Sequence, residues 1–125
     1  MRGAYQIIGV RNTGARAVSP VNVTVEKKYR WHQVSDRSLK CWYIGSETAV
    51  HQFISFCQRN PSASSRNVRE ELSHKVGNYA IIVEQGNRLI AAVDKIRSYP
   101  VFYVKWDDRF AVSNSARALK SEIGL

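Results

Sequence analysis

The sequence predicts an α+β fold of mostly antiparallel sheets. Three observations carry this expectation. Short apolar runs recur between turn residues, most regularly at 79–84 and 89–93 around Gln85-Gly86-Asn87. One segment, from Ser46 to Asn60, carries helical instead of alternating apolar spacing. The length of 125 residues, 44% hydrophobic and 23% charged, suits one domain, 1–125, and leaves little room for a second.

Taken in order, 5–10 is an apolar run closed by Arg11-Asn12-Thr13-Gly14, whose Asn and Gly supply turn angles. Val21, Val23 and Val25 alternate with Asn22 and Thr24, a period of two that reads as a half-buried strand. The stretch 29–46 is rich in aromatics, and 39–44 reads as a third strand ended by Gly45. Ser46 caps a helix in which Val50, Phe53, Ile54 and Cys57 share one face, with Glu47 in its first turn where the helix dipole favours an acid. That helix should stop before Asn60-Pro61. Residues 61–67, small and polar, are expected to form a flexible surface loop, followed by a short helix over 68–75. After the hairpin, Arg97-Ser98-Tyr99-Pro100 breaks the chain, and 101–106, Asp107-Asp108 and 109–112 form a second hairpin. Ser113 or Ser115 caps a last helix through Leu119 to Ile123. The sum is at least six strands and two or three helices, with no internal repeat.

Nineteen Lys plus Arg against ten Asp plus Glu give a net charge of +9, which attracts anionic partners. The charge is uneven: residues 1–40 hold eight basic and two acidic side chains, net +6. Two cysteines are too few for a disulfide-stapled secreted module, and both Cys41 and Cys57 have apolar neighbours, so a reducing compartment is expected. No run approaches the roughly 20 apolar residues of a membrane helix, and the start lacks a signal-peptide core. The expected location is the cytoplasm, with no membrane partner.

Chemistry-bearing motifs are scarce. His32, His51 and His74 stand far apart and at no metal-ligand spacing, so no metal site is expected. Glu47 with His51 and Glu71 with His74 share helix faces, as surface neighbours commonly do. There is no G-x-x-x-x-G-K-[ST], no G-x-G-x-x-G and no G-x-S-x-G, so no nucleotide or other cofactor is expected. Glu70-Glu71 reads as a solvated face and Asp107-Asp108 as turn residues, whereas Asp94 ends an apolar strand. Lys27, Lys28, Arg30 and Arg37, with Trp31 as a stacking surface, are the residues through which the basic third would grip a phosphate backbone or another anion. Solvated charge around core aromatics produces the same string.

The most specific signal is Gly77-Asn78-Tyr79-Ala80-Ile81-Ile82-Val83, then Arg88 through Asp94-Lys95-Ile96-Arg97-Ser98-Tyr99-Pro100-Val101-Phe102-Tyr103, then Phe110-Ala111-Val112-Ser113-Asn114-Ser115. In order and spacing it resembles the glutamine amidotransferase domain of asparagine synthetase and its relatives, the class II type with an N-terminal nucleophile. The resemblance covers roughly a third of the chain, and the Ser-Tyr-Pro turn looks like the asparagine synthase-related subgroup. It implies an Ntn-hydrolase-like sandwich of two antiparallel sheets flanked by helices, here shortened. Gly77, Asn78, Asp94, Tyr99, Pro100, Tyr103 and Ser113 would be structural, Asp94 holding the turn after it by accepting backbone hydrogen bonds.

The departures decide the functional expectation. Family members that hydrolyse glutamine carry a cysteine directly after Met1, with the free α-amine as base. Here that position is Arg2, which is neither nucleophile nor base. The Asn-Gly-Glu, Arg-Gly-Pro and Ser-Asp-x-Glu strings are also missing, as is the synthetase domain that normally follows. The expectation is a degenerate amidotransferase-like domain with no catalytic residues that binds a separately encoded ATP-pyrophosphatase or synthetase subunit, or a second copy of itself. The alternatives are a glutaminase using Cys41 or Cys57, or a fragment of a larger amide-forming enzyme, and a basic nucleic-acid-binding protein.

Overall fold

The computed structural model describes residues 5–10, 21–36, 38–86, 88–94, 96–106, 109–122 and 124. Within them the chain runs β1 (Tyr5–Val10), β2 (Val21–Thr24), a 3-10 turn (Lys27–Tyr29), β3 (His32–Ser35), β4 (Leu39–Gly45), α1 (Glu47–Arg59), α2 (Ser65–Ser73), β5 (Tyr79–Gln85), β6 (Arg88–Asp94), β7 (Phe102–Trp106), β8 (Arg109–Ser113) and α3 (Ala116–Glu122). The strands form a five-stranded sheet, β1-β6-β5-β4-β3, and a three-stranded sheet, β2-β8-β7.

Strands β5 and β6 sit in the middle of the larger sheet and are covered on both faces, which is why they read as near-continuous apolar runs. Their alternation divides the core in two. Tyr79, Ile81, Val83, Ile90 and Ala92 face α1 and α2, meeting Val50, Phe53, Ile54 and Cys57 of α1 and Val68 and Leu72 of α2. Ile82, Leu89 and Ala91 face the smaller sheet, meeting Phe110 and Val112 of β8, with Val23, Trp31 and Trp42 packed at the margin. Ile81 and Ile82, at 1% and 0% exposure, are each worth about 1.5–3 kcal/mol of burial on opposite sides of one strand. Helix α3 packs on β7 and β8 and buries Leu119. The layers are therefore helices, large sheet, small sheet and a short helix, an α+β arrangement as expected.

Helix α1 follows its sequence signals closely. Ser46 Oγ accepts the N–H of Ala49 at 3.2 Å, Glu47 lies in the first turn, and the helix ends at Arg59. Helix α2 starts earlier than expected: residues 65–67, assigned to the flexible loop 61–67, form its first turn. Ser64 Oγ accepts the N–H of Asn67 at 3.1 Å, and this cap sets Val68 and Leu72 on the buried face. Serines compete for the backbone in turns and at caps alike, so the run Ser62-Ala63-Ser64-Ser65 does not by itself say which of them starts the helix.

The smaller sheet also departs from expectation. It is mixed, because β2 pairs with β8 in parallel, Val23 opposite Val112, while β7 and β8 pair antiparallel. A tight turn obliges two strands to run antiparallel, but the connection from β2 to β8 passes through β3 to β7 and both α1 and α2 and imposes no such rule. Asn114 extends this pairing with its side chain. Its Oδ1 accepts the N–H of Glu26 at 2.8 Å and its Nδ2 donates to the Glu26 carbonyl at 3.2 Å, so a buried amide stands in for one more strand residue. Strand β3 was not expected. Only Val34 of its four residues is partly buried, so it carries no apolar alternation to announce it.

Candidate binding site at the Asp94 end of the large sheet

Asp94 closes β6 and is 5% exposed. Its Oδ2 accepts the N–H of Tyr79, the first residue of β5, at 2.9 Å, and its Oδ1 accepts the N–H of Ser98 in the following turn at 2.9 Å. Both carboxylate oxygens are thus engaged by backbone donors, and the group is a brace between the start of one strand and the turn after the next. In that turn Arg97 takes a left-handed φ of 52° and its N–H returns to the Asp94 carbonyl at 3.1 Å.

Gly77 and Asn78 enter the same corner from the other side. The Asn78 carbonyl accepts the N–H of Ser46 at 2.7 Å, joining the loop before β5 to the cap of α1. Gly45, at φ 101°, makes this approach possible: a Cβ there would overlap the Asn78 carbonyl oxygen and stand 2.8 Å from Tyr79 Cα. Between these elements lies a cavity of about 290 Å³ lined by residues 75–79, Asp94 and Ile96. Val76 and Ile96 line it while 84% and 75% exposed, an apolar pair set against water. Lys75 lines it as well, with its Nζ donating to Glu71 Oε2 at 2.7 Å and to Gln52 Oε1 at 3.4 Å. The register places Tyr5, the first residue of β1, opposite Asp94, so β1 also begins at this end of the sheet.

The remaining motif residues lie elsewhere. Tyr99 is half-buried and Pro100 exposed in the turn before β7. Tyr103 is half exposed on β7, its ring 5.9 Å from that of Phe110, and Ser113 is buried at the end of β8, its Oγ accepting the N–H of Ser115 at 3.0 Å. Of the seven, only Gly77, Asn78 and Asp94 line the cavity.

The thiols are remote from reactive geometry. Cys41 and Cys57 are both free and fully buried among the helix-facing core residues. Burial, opposed by the Arg88 charge, leaves the Cys57 thiol pushed up to about 11, and burial drives Cys41 higher still. Thiolate, the nucleophilic form, is thereby suppressed at neutral pH.

Two histidines share Tyr43 as a neighbour. His32 lies 5.1 Å from the Tyr43 ring and His51 5.7 Å from it, centroid to centroid. Glu47 bonds His51 Nε2 at 3.0 Å and accepts the Tyr43 hydroxyl at 3.2 Å. Burial first, then the Glu47 charge, raises the Tyr43 phenol above its usual range. His32 is brought in by β3, the strand that the sequence pattern did not announce. Glu71, by contrast, is taken by Lys75, and His74 only ends α2. Among the described residues no group of three potential metal ligands occurs, and no helix is long and apolar enough to cross a membrane.

In the basic segment, Lys27 and Arg30 are exposed, while Trp31 is half-buried against the inter-sheet core. The side chain of Lys28, and Arg37, Asp107 and Asp108 entirely, lie outside the described residues. What the sequence did not single out is the exposed pair Val76 and Ile96. Each is an isolated apolar residue in a polar loop, and only the fold sets them on one cavity.

No protein-family model, no curated protein and no solved structure matches the chain.

Proposed function

We propose that the chain is a degenerate amidotransferase-like sandwich that binds rather than hydrolyses, docking a separately encoded ATP-dependent amide-forming synthetase or pyrophosphatase subunit. The observation that carries this reading is the state of the Asp94 end of the sheet. In the family the sequence resembles, the nucleophile directly follows Met1, and here β1, the first strand after that position, begins opposite Asp94. At that corner the carboxylate is committed to two backbone N–H groups, and the chain's two thiols are buried in the helix-facing core. What the corner offers outward is the apolar pair Val76 and Ile96. Apolar side chains this exposed are suited to burial in a partner's surface. The layered α+β architecture, two sheets with helices outside them, supports the same reading.

The test is native mass spectrometry of the purified protein mixed with the ATP-dependent synthetase or pyrophosphatase subunits of its own host, with ammonia release from glutamine measured in parallel. A heteromeric complex lost in Val76→Asp/Ile96→Asp, without ammonia release, is the expected result. Ammonia release abolished by Cys41→Ala or Cys57→Ala, a homodimer that excludes these subunits, or a nuclease-sensitive mass would overturn it.

A further inference from the structure

Arg88 opens β6 at the opposite end of the large sheet from Asp94, and it is 4% exposed. Its Nη1 donates to the Ala63 carbonyl at 2.6 Å, and its Nη2 to Gln85 Oε1 at 2.7 Å and, over 3.4 Å, to the Asn60 carbonyl. All three acceptors are neutral. Its Nε has no partner, and among the described residues no carboxylate pairs with the guanidinium. A buried cation satisfied by dipoles alone keeps much of its desolvation cost, and an unpaired N–H adds to it.

Asp36, at the start of the β3–β4 turn, and Glu71 of α2 are engaged elsewhere. Asp36 Oδ1 accepts from Ser38 N, Ser38 Oγ and Leu39 N, and its Oδ2 from Gln58. Glu71 is bound by Lys75 at 2.7 Å. Beside Arg88 lies a cavity of about 480 Å³ walled by residues 61–63, the Gln85-Gly86 turn and Ser38. The Ser38 hydroxyl is spent on Asp36, but the Ser62 hydroxyl and the second amide proton of Gln85, whose first goes to the Cys57 carbonyl at 3.0 Å, remain as donors.

We propose that this cavity binds a compact oxyanion, a carboxylate or a phosphate group, with Arg88 supplying the charge and Ser62 and Gln85 further hydrogen bonds. The donors that its three acceptors leave to Arg88 are Nε–H and the second Nη1 proton, and its fixed charge favours either group. The site is built from three separate elements, the α1–α2 loop, the β5–β6 turn and the β3–β4 turn, and it does not depend on docking at the Asp94 end.

The test is an amide NMR titration of the intact protein with sodium phosphate and, separately, sodium acetate, at ionic strength held constant with sodium chloride. Expected are saturable shifts at Ser62, Ala63, Gln85 and Gly86, and the anion that saturates at the lower concentration identifies which oxyanion fits. Arg88→Gln should abolish saturation. Because Arg88 also holds the α1–α2 loop, a second variant leaves it in place: Ser62→Glu, which sets a tethered carboxylate at the cavity wall, should weaken the response at least tenfold. No saturable change with either anion overturns the proposal. So do shifts confined to Lys27 and Arg30, or unaltered binding by Ser62→Glu or a folded Arg88→Gln.

Discussion

The Asp94 carboxylate holds the N–H of Tyr79 at 2.9 Å while its other oxygen holds the N–H of Ser98 at the same distance. One side chain therefore fixes where β5 begins and where the chain goes after β6. Asp94→Ala leaves two backbone donors without partners, each worth about 1–3 kcal/mol when shielded from water, so a loss of about 2–5 kcal/mol in urea unfolding is expected. Asp94→Asn offers one carbonyl oxygen where two are used and should lie between the two proteins. An unfolding midpoint unchanged in Asp94→Ala would remove the brace from the account.

Gly45 and Gly86 separate space from backbone angle. Both have left-handed φ values, 101° and 57°, but a Cβ at Gly45 collides with Asn78 and Tyr79 whereas one at Gly86 meets nothing within 4 Å. Gly86→Ala should cost about 1–2 kcal/mol, the strain of the angle alone. Gly45→Ala should exceed about 3 kcal/mol and give little soluble protein, because backbone has to move as well. Soluble yield and thermal unfolding of the pair check this, and equal behaviour would contradict the close approach.

The cysteines make a chemical clock of folding. With Cys57 moved from an ordinary 9.0 to about 11, its thiolate fraction near neutrality falls by about a hundredfold before shielding is counted. Ellman's reagent at pH 8 should leave both thiols unmodified in the native protein and label both in urea. The sign of the pH dependence follows: the unfolded chain releases thiol protons from about pH 9 while the folded chain retains them. Stability is therefore full below pH 9 and falls as pH rises through 9 toward 11 and beyond. Rapid native labelling at pH 8 would contradict the burial of these groups.

Val76 and Ile96 test the proposed docking surface apart from the fold. At 84% and 75% exposure they contribute little to packing, so Val76→Asp and Ile96→Asp should shift stability by no more than about 0.5 kcal/mol each. Affinity for the proposed synthetase partner should fall at least tenfold in the double variant, measured by isothermal titration calorimetry. Retained affinity would place the interface elsewhere.

What could be read from the sequence depended on how local its physical cause was. Helix α1 is set by its own residues, Ser46 at one end, Asn60-Pro61 at the other and Val50, Phe53, Ile54 and Cys57 between, and all of these act as the spacing implies. The β5–β6 hairpin is similarly self-announcing, and so is the role of Asp94 toward its own turn. Strand β3 is half-hidden because it lies at a sheet edge with polar residues on both faces, and its pairing rests on backbone bonds to β4 that leave no compositional trace. The parallel pairing of β2 with β8, the burial of Arg88 and the convergence of Val76 and Ile96 are fixed by residues distant in sequence. No short window contains their cause.

Each sheet takes a strand from near the start of the sequence and seats it against one from its last third: β1 on β6, and β2 on β8. During synthesis neither early strand has a seat until the late strands have left the ribosome, and closing so large a loop carries an entropic cost before any contact is gained. Seating of β1 and β2 is thereby deferred until β6 and β8 are made. In the interval the exposed backbone of β1 and β2 is open to strands of other nascent chains, so a holding chaperone or slow, spaced translation should raise the soluble yield more than any single stabilising substitution.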